Sequence, residues 1–207
     1  MRSKSGYVEV ALPQMRELAD LYSLDHELGI ARNLCEKAVE ICAGEHHDDL
    51  VIDGLTTAAL IRYIRCFHAT GKRIALKLDD LSGLSEKEKS WHGYFKSMRD
   101  KHVAHSVNGY EQAYVKALVV YDDRGTLLPF TSLYPGVERV ILNGGNAAAL
   151  LQLIQAALQI VLSRRHSAEE AALKFVNKIP EEVVRSFEPH LPLNVDPKDV
   201  ARARKDT

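Results

Sequence analysis

The sequence predicts a mainly α-helical fold with one small β-hairpin, and three observations carry that expectation. Apolar residues recur at helical spacing over most of the chain. Capping residues and glycines bracket those stretches. One stretch alone, from Tyr114 to Leu133, is rich in β-branched and aromatic residues around a turn signal. With 207 residues, of which 46% are hydrophobic and 27% charged, the chain is large and apolar enough to bury one core of its own. It shows no repeat, low-complexity tract or linker, so residues 1–207 read as one domain.

Residues 1–11 suit an extended arm, and Pro13 suits the first turn of a helix, where its missing N–H is not needed. A first helix follows through Met15, Leu18, Ala19 and Leu21. Asp25 is placed to cap a second helix that carries Leu28, Leu34, Ala38 and Ile41 and ends near Gly44. Asp48 or Asp49 caps a third, extending through Leu55, Ala59, Ile64 and Phe67 towards Gly71. Residues 72–84 read as irregular. Ser85 and Glu88 then form a capping box that opens a helix over about 86–106, ended by Asn108-Gly109.

Tyr114–Tyr121 is predicted to be a strand, Asp122–Gly125 a turn and Leu127–Leu133 the return strand, held to a sheet edge by Pro129 and Pro135. This hairpin, about 112–134, reads as an insertion into a helical bundle. Asn146 is placed to cap a helix through Leu150, Ile154, Leu158 and Val161 that is apolar nearly all round, which suits a central core helix or one at a subunit interface. Ser167 and Glu170 resemble a further capping box, Pro180 breaks the last helix, and the tail over about 189–207 is expected to fray.

The formal net charge of −1 argues against a general nucleic-acid binder, whose phosphate contacts call for a basic excess. A small basic site on a balanced surface remains compatible with it. The three cysteines, Cys35, Cys42 and Cys66, form no CxxC pair and read as small buried hydrophobes, with Cys35 and Cys42 on one helix face. Neither a signal peptide nor an unbroken apolar run of about 18 residues is present, so a cytoplasmic, soluble protein without a membrane partner is expected.

The helix over 86–106 carries the chemistry. At about 100° per residue, Trp91, Tyr94, Phe95 and Met98 form one apolar stripe. His102 and His105 fall on the same stripe and Arg99 on its edge. Polar and titratable side chains on a face built for burial break the binary pattern, and such breaks tend to mark functional sites.

The string Arg99-Asp100-Lys101-His102-Val103-Ala104-His105 resembles the arginine–polar–histidine signature of the HEPN superfamily, most closely its abortive-infection toxin-like branch. The polar residue directly follows the arginine, and five residues separate Arg99 from His105. The order of helices is also similar over most of the chain. The resemblance implies a HEPN-like helical bundle and metal-independent RNA cleavage at a homodimer interface, leaving a 2′,3′-cyclic phosphate. His105 is then the acid–base residue, Arg99 the phosphate clamp and Asp100 the orienting group. Lys101 and His102 are supporting or RNA-contacting candidates. An antitoxin or defence partner is compatible with this branch, and no cofactor or metal is called for. The alternative is a non-catalytic dimeric scaffold of the same fold, binding RNA or a partner protein.

Other clusters are less specific. Glu45-His46-His47-Asp48-Asp49 suits a solvated inter-helix loop better than a metal site, because adjacent residues on a turn rarely converge on one ion. Arg62, Arg65, Lys72 and Arg73 form a basic patch that is either an exposed helix end or the side of an RNA path. Arg164-Arg165 are placed to close the long helix, where cations suit the dipole. Gly144-Gly145 lack the surrounding pattern of a phosphate-binding loop.

Overall fold

The computed structural model describes residues 10, 12–45, 48–68, 74–81, 83–100, 111–130, 132–139, 142 and 144–187. It is mainly helical, with one two-stranded antiparallel sheet. The helices are α1 (Arg16–Ala43), α2 (Asp49–Arg65), α3 (Glu86–Met98), α4 (Gly144–Val176) and the single turn α5 (Glu181–Val184). The strands are β1 (Glu111–Ala117) and β2 (Leu133–Arg139).

The two long helices form the seam of the molecule. On α1, Leu21, Leu24, Leu28, Ala31, Cys35 and Ala38 are fully buried at alternating steps of three and four, the spacing of one helix face. On α4, Ala147, Leu150, Ile154, Ala157 and Val161 form the matching face. Small residues recur on both faces, and the Cys35 thiol donates to the Ala147 carbonyl at 3.1 Å. Burial pushes that thiol up to about 12, so it stays protonated and behaves as the expected hydrophobe. Helix α2 packs against α1, and α3 lies chiefly against α4.

Two expected boundaries vanish in this arrangement. The chain from Arg16 to Ala43 is one helix, not two, because Leu21, Leu24 and Leu28 continue the buried stripe without a Pro or Gly between them. Asp25 caps nothing and reaches across to Arg165 instead. Likewise α4 runs through Ser167, whose hydroxyl donates to the Ser163 carbonyl one turn back at 3.3 Å. Arg164 and Arg165 are therefore interior to α4 rather than at its end. Arg164 pairs with Asp80 at 2.7 Å and holds that carboxyl below the usual range, while Arg165 joins Asp25 and Glu169. Helix α4 also begins at Gly144, ahead of the expected cap at Asn146.

Other signals are found where expected. Asp48 caps α2, accepting from the N–H groups of Leu50 and Val51 at 3.0 and 3.1 Å. At α3, Glu88 N–H donates to Ser85 Oγ at 3.3 Å and Ser85 N–H to Glu88 Oε2 at 2.7 Å, closing the capping box. Within the irregular stretch, 78–80 form a short 3-10 turn. The chain leaves α4 before Pro180, which precedes α5. The arm at 1–9, Gly71, Asn108-Gly109 and the tail from 188 lie outside the described residues.

The hairpin turn is the expected one: Gly125 N–H donates to the Asp122 carbonyl, with Gly125 at φ +77°, a region open to glycine. The ladder sits elsewhere. Its return strand is Leu133–Arg139 rather than 127–133, paired Val115 to Pro135 and Tyr114 to Gly136, and only Tyr121 and Leu127 bridge near the tip. In a two-stranded sheet both strands are edges, so Pro135 is tolerated inside β2. Gly136 lies under the far end of the Tyr114 ring, which would be 2.6 Å from an added Cβ and would have to move aside for any other residue.

By length and composition α4 is apolar enough to cross a membrane. In this fold its apolar residues cover α1 and α3.

Candidate functional site

The expected stripe on α3 is formed. Phe95 and Met98 are buried, and Trp91 and Tyr94 pack partly buried against the core. Trp91 stacks on Phe95 with ring centres 5.6 Å apart. This packing sets the azimuth of the helix and leaves its last turn to deliver Arg99. Arg99 is the C-cap of α3, at φ −59° and ψ −47°, its N–H donating to the Phe95 and Lys96 carbonyls.

Arg99 Nη1 donates to Asp100 Oδ1 at 2.8 Å, with the two side chains 35% and 42% exposed. The guanidinium holds the Asp100 carboxyl below the usual carboxylate range, and His68 and Lys96 act in the same direction. Lys101, His102 and His105 lie outside the described residues, so the pair Arg99–Asp100 is the part of the expected site whose geometry is defined.

Arg62 and Arg65 are joined to α1. Arg62 Nη1 lies 2.9 Å from Glu27 Oε2, and Arg65 lies 4.0 Å from the same carboxylate. One acidic residue thus serves both arginines. Arg65 keeps a half-exposed side chain, whereas Arg62 is held more firmly.

Sequence reasoning missed a buried polar group beneath α3. The His92 side chain is buried and its Nδ1 lies 2.9 Å from the Tyr63 hydroxyl. Its ring also meets Phe67 edge-on at 4.6 Å. Burial lowers the His92 pKa, with Lys96 and His68 adding to the effect, and burial raises that of Tyr63. A neutral imidazole accepting the phenol proton at Nδ1 fits both directions. His68 influences both Asp100 and His92, and its Nε2 is buried without a hydrogen-bond partner among the described residues. The available signal was position: His92 precedes Arg99 by seven residues, two helical turns along the same face. The partner Tyr63 carried no such mark.

Chemically, the described part of the site offers a half-open guanidinium oriented by a carboxylate. Such a fork suits the non-bridging oxygens of a phosphate. Comparison with protein-family models, curated proteins and solved structures finds no match to this chain. Among the described residues, no three His, Cys, Asp or Glu side chains converge on a metal position. In the acidic–histidine loop, Asp48 serves as a helix cap, and His46 and His47 lie outside the described residues.

Proposed function

We propose that this chain is a metal-independent endoribonuclease of the HEPN type, with a HEPN-like bundle, acting as a cytoplasmic homodimer in phage defence or as a toxin–antitoxin effector. The observation that supports this reading is the Arg99–Asp100 pair, bonded at 2.8 Å and open to solvent at the end of an aromatic helix. The resemblance of residues 99–105 supplies the remaining groups.

In this reading Arg99 clamps the scissile phosphate while Asp100 fixes its fork. His105 withdraws the proton from a ribose 2′-OH, and the oxygen attacks phosphorus as the P–O5′ bond breaks. The leaving oxygen takes a proton from an acid group, for which His105 of the second copy is the candidate. The products carry a 2′,3′-cyclic phosphate and a 5′-hydroxyl. A histidine, with an ordinary pKa of about 6.5, suits both proton transfers near neutrality.

Purified protein incubated with mixed RNA in EDTA should release cyclic-phosphate ends. His105→Ala should slow cleavage by about 100-fold or more, and Arg99→Ala by about 100- to 1,000-fold, with helical circular dichroism unchanged. Full activity in the His105 variant would remove the assignment. A second reading, a non-catalytic scaffold, is favoured by the net charge of −1 and by Glu27 offsetting Arg62 and Arg65. Tight RNA or protein binding without cleavage would select it.

A further inference from the structure

The contact between α2 and α3 is built unlike the other helix contacts. Helix α1 packs along both α4 and α2 over long stretches, whereas α2 meets α3 over a short one. That short contact holds a cluster of rings: Tyr63 of α2, Phe67 just beyond its end, and His92 of α3. The Tyr63 hydroxyl lies 2.9 Å from His92 Nδ1. The Phe67 ring centre is 4.6 Å from that of His92 and 5.0 Å from that of Tyr63. Tyr63 and His92 are both buried, so their polar bond is closed off from water. His68 follows Phe67, and its Nε2 is buried without a hydrogen-bond partner among the described residues. A buried polar atom left unpaired makes a contact cheaper to open, since water then satisfies it.

The Tyr63 hydroxyl can donate to Nδ1 only while that nitrogen keeps its lone pair. An imidazolium is a donor at both nitrogens, so charging His92 leaves the phenol proton without its acceptor. The surroundings also oppose the charge. Among the described residues, the charged groups that act on His92 are Lys96, one turn along α3, and His68, and no carboxylate is among them. From α2 the facing titratable groups are Tyr63 and, beside it, Cys66, and α4 brings aliphatic residues to the same core. An imidazolium is thus disfavoured while the contact is closed and hydrated once it opens. Little else joins α2 to α3, so the contact gives way before the rest of the molecule does.

We infer that the Tyr63–Phe67–His92 cluster is an acid-sensitive latch: protonation of His92 releases the end of α2 from α3 while the α1–α4 seam stays folded. Arg99 lies two turns beyond His92, so the latch acts on the helix whose end carries Arg99 and Asp100. The inference goes beyond the ribonuclease reading and does not rest on it, since opening is read without RNA.

The test is native-state hydrogen exchange of the full chain, between pH 7.5 and 5 and in low urea. An open latch takes its proton near the ordinary histidine value of about 6.5 and a closed one only at lower pH. Opening therefore grows as pH falls through that value and levels off below the closed one. Corrected for intrinsic rates, protection over 62–66 and 92–98 should fall by about 3- to 10-fold between pH 7 and 5.5. This exchange should be nearly indifferent to urea, the mark of a local opening, whereas amides of the α1–α4 seam should respond to it. His92→Asn, whose amide oxygen can accept the Tyr63 proton without titrating, should abolish the pH response. His68→Gln, which removes one opposing cation and leaves the ring cluster in place, should reduce it. A loss of protection that tracks the seam with the same urea slope would overturn the inference in favour of global unfolding. A pH response that persists in His92→Asn, or one unchanged in His68→Gln, would overturn it as well.

Discussion

At the scale of single residues, His92 shows how burial turns a titratable group into a stability term. Its imidazole is enclosed, bonded to Tyr63 and touched by Phe67, so charging it costs desolvation. Its folded pKa therefore lies below the ordinary value of about 6.5. Above that value neither state holds the proton, and the contribution of the neutral imidazole is complete. As pH falls below it, the unfolded chain takes a proton that the folded one refuses, and stability declines until the folded pKa is passed. Calorimetry between pH 7.5 and 5 should show this loss, and His92→Phe should reduce its slope. At pH 7.5 that substitution should cost about 1–3 kcal/mol, since it strands the Tyr63 hydroxyl in the core. Adding Tyr63→Phe should recover most of the loss. A double variant no better than the single one would show that the hydroxyl was not the cause.

At the scale of elements, the local signals that held are those whose two partners lie within one turn. Ser85 and Glu88 are three apart and Asp48 caps its own helix, so their chemistry was legible from spacing alone. Ser85→Ala should destabilise by about 1 kcal/mol in urea unfolding, because it exposes an unpaired N–H at the start of α3. A variant as stable as the unaltered chain would show that the cap is redundant with water. Two of the signals that misled have distant partners, whereas Ser167 bonds one turn back inside α4. Asp25 looked like a cap but meets Arg165, 140 residues away, and Arg164 looked like a helix end but meets Asp80. The hairpin divides the same way: its Asp122–Gly125 turn was readable, while the ladder that pairs Val115 with Pro135 joins residues far apart in sequence. Of the expected site, Arg99 stood out because it sits at the edge of the apolar stripe of α3, and Asp100 entered through the resemblance of residues 99–105. His92 lies on the same face as Arg99 two turns earlier, but its role rests on a bond to Tyr63 that spans 29 residues.

For the whole molecule the question is what the apolarity of α4 is for. Its composition would suit a membrane, yet its apolar residues meet α1 at positions where α1 is itself small or aliphatic. The two helices are further tied by Arg165 to Asp25 and by the Tyr22 hydroxyl to Glu169. Polar ties at the rim and apolar contact in the seam are the pattern of a protein core. A pair of substitutions on α4 separates the two uses. Leu153 is fully buried, so Leu153→Ala should leave a cavity and cost about 2–5 kcal/mol. Leu173 is 63% exposed, and Leu173→Ala should change stability by no more than about 0.5 kcal/mol. Urea unfolding at neutral pH reads both. A helix whose apolar surface served lipid instead would give two small and similar changes in water. A large difference between them would mean that the α1–α4 seam holds the molecule together, and with it the packing that places α3 and Arg99.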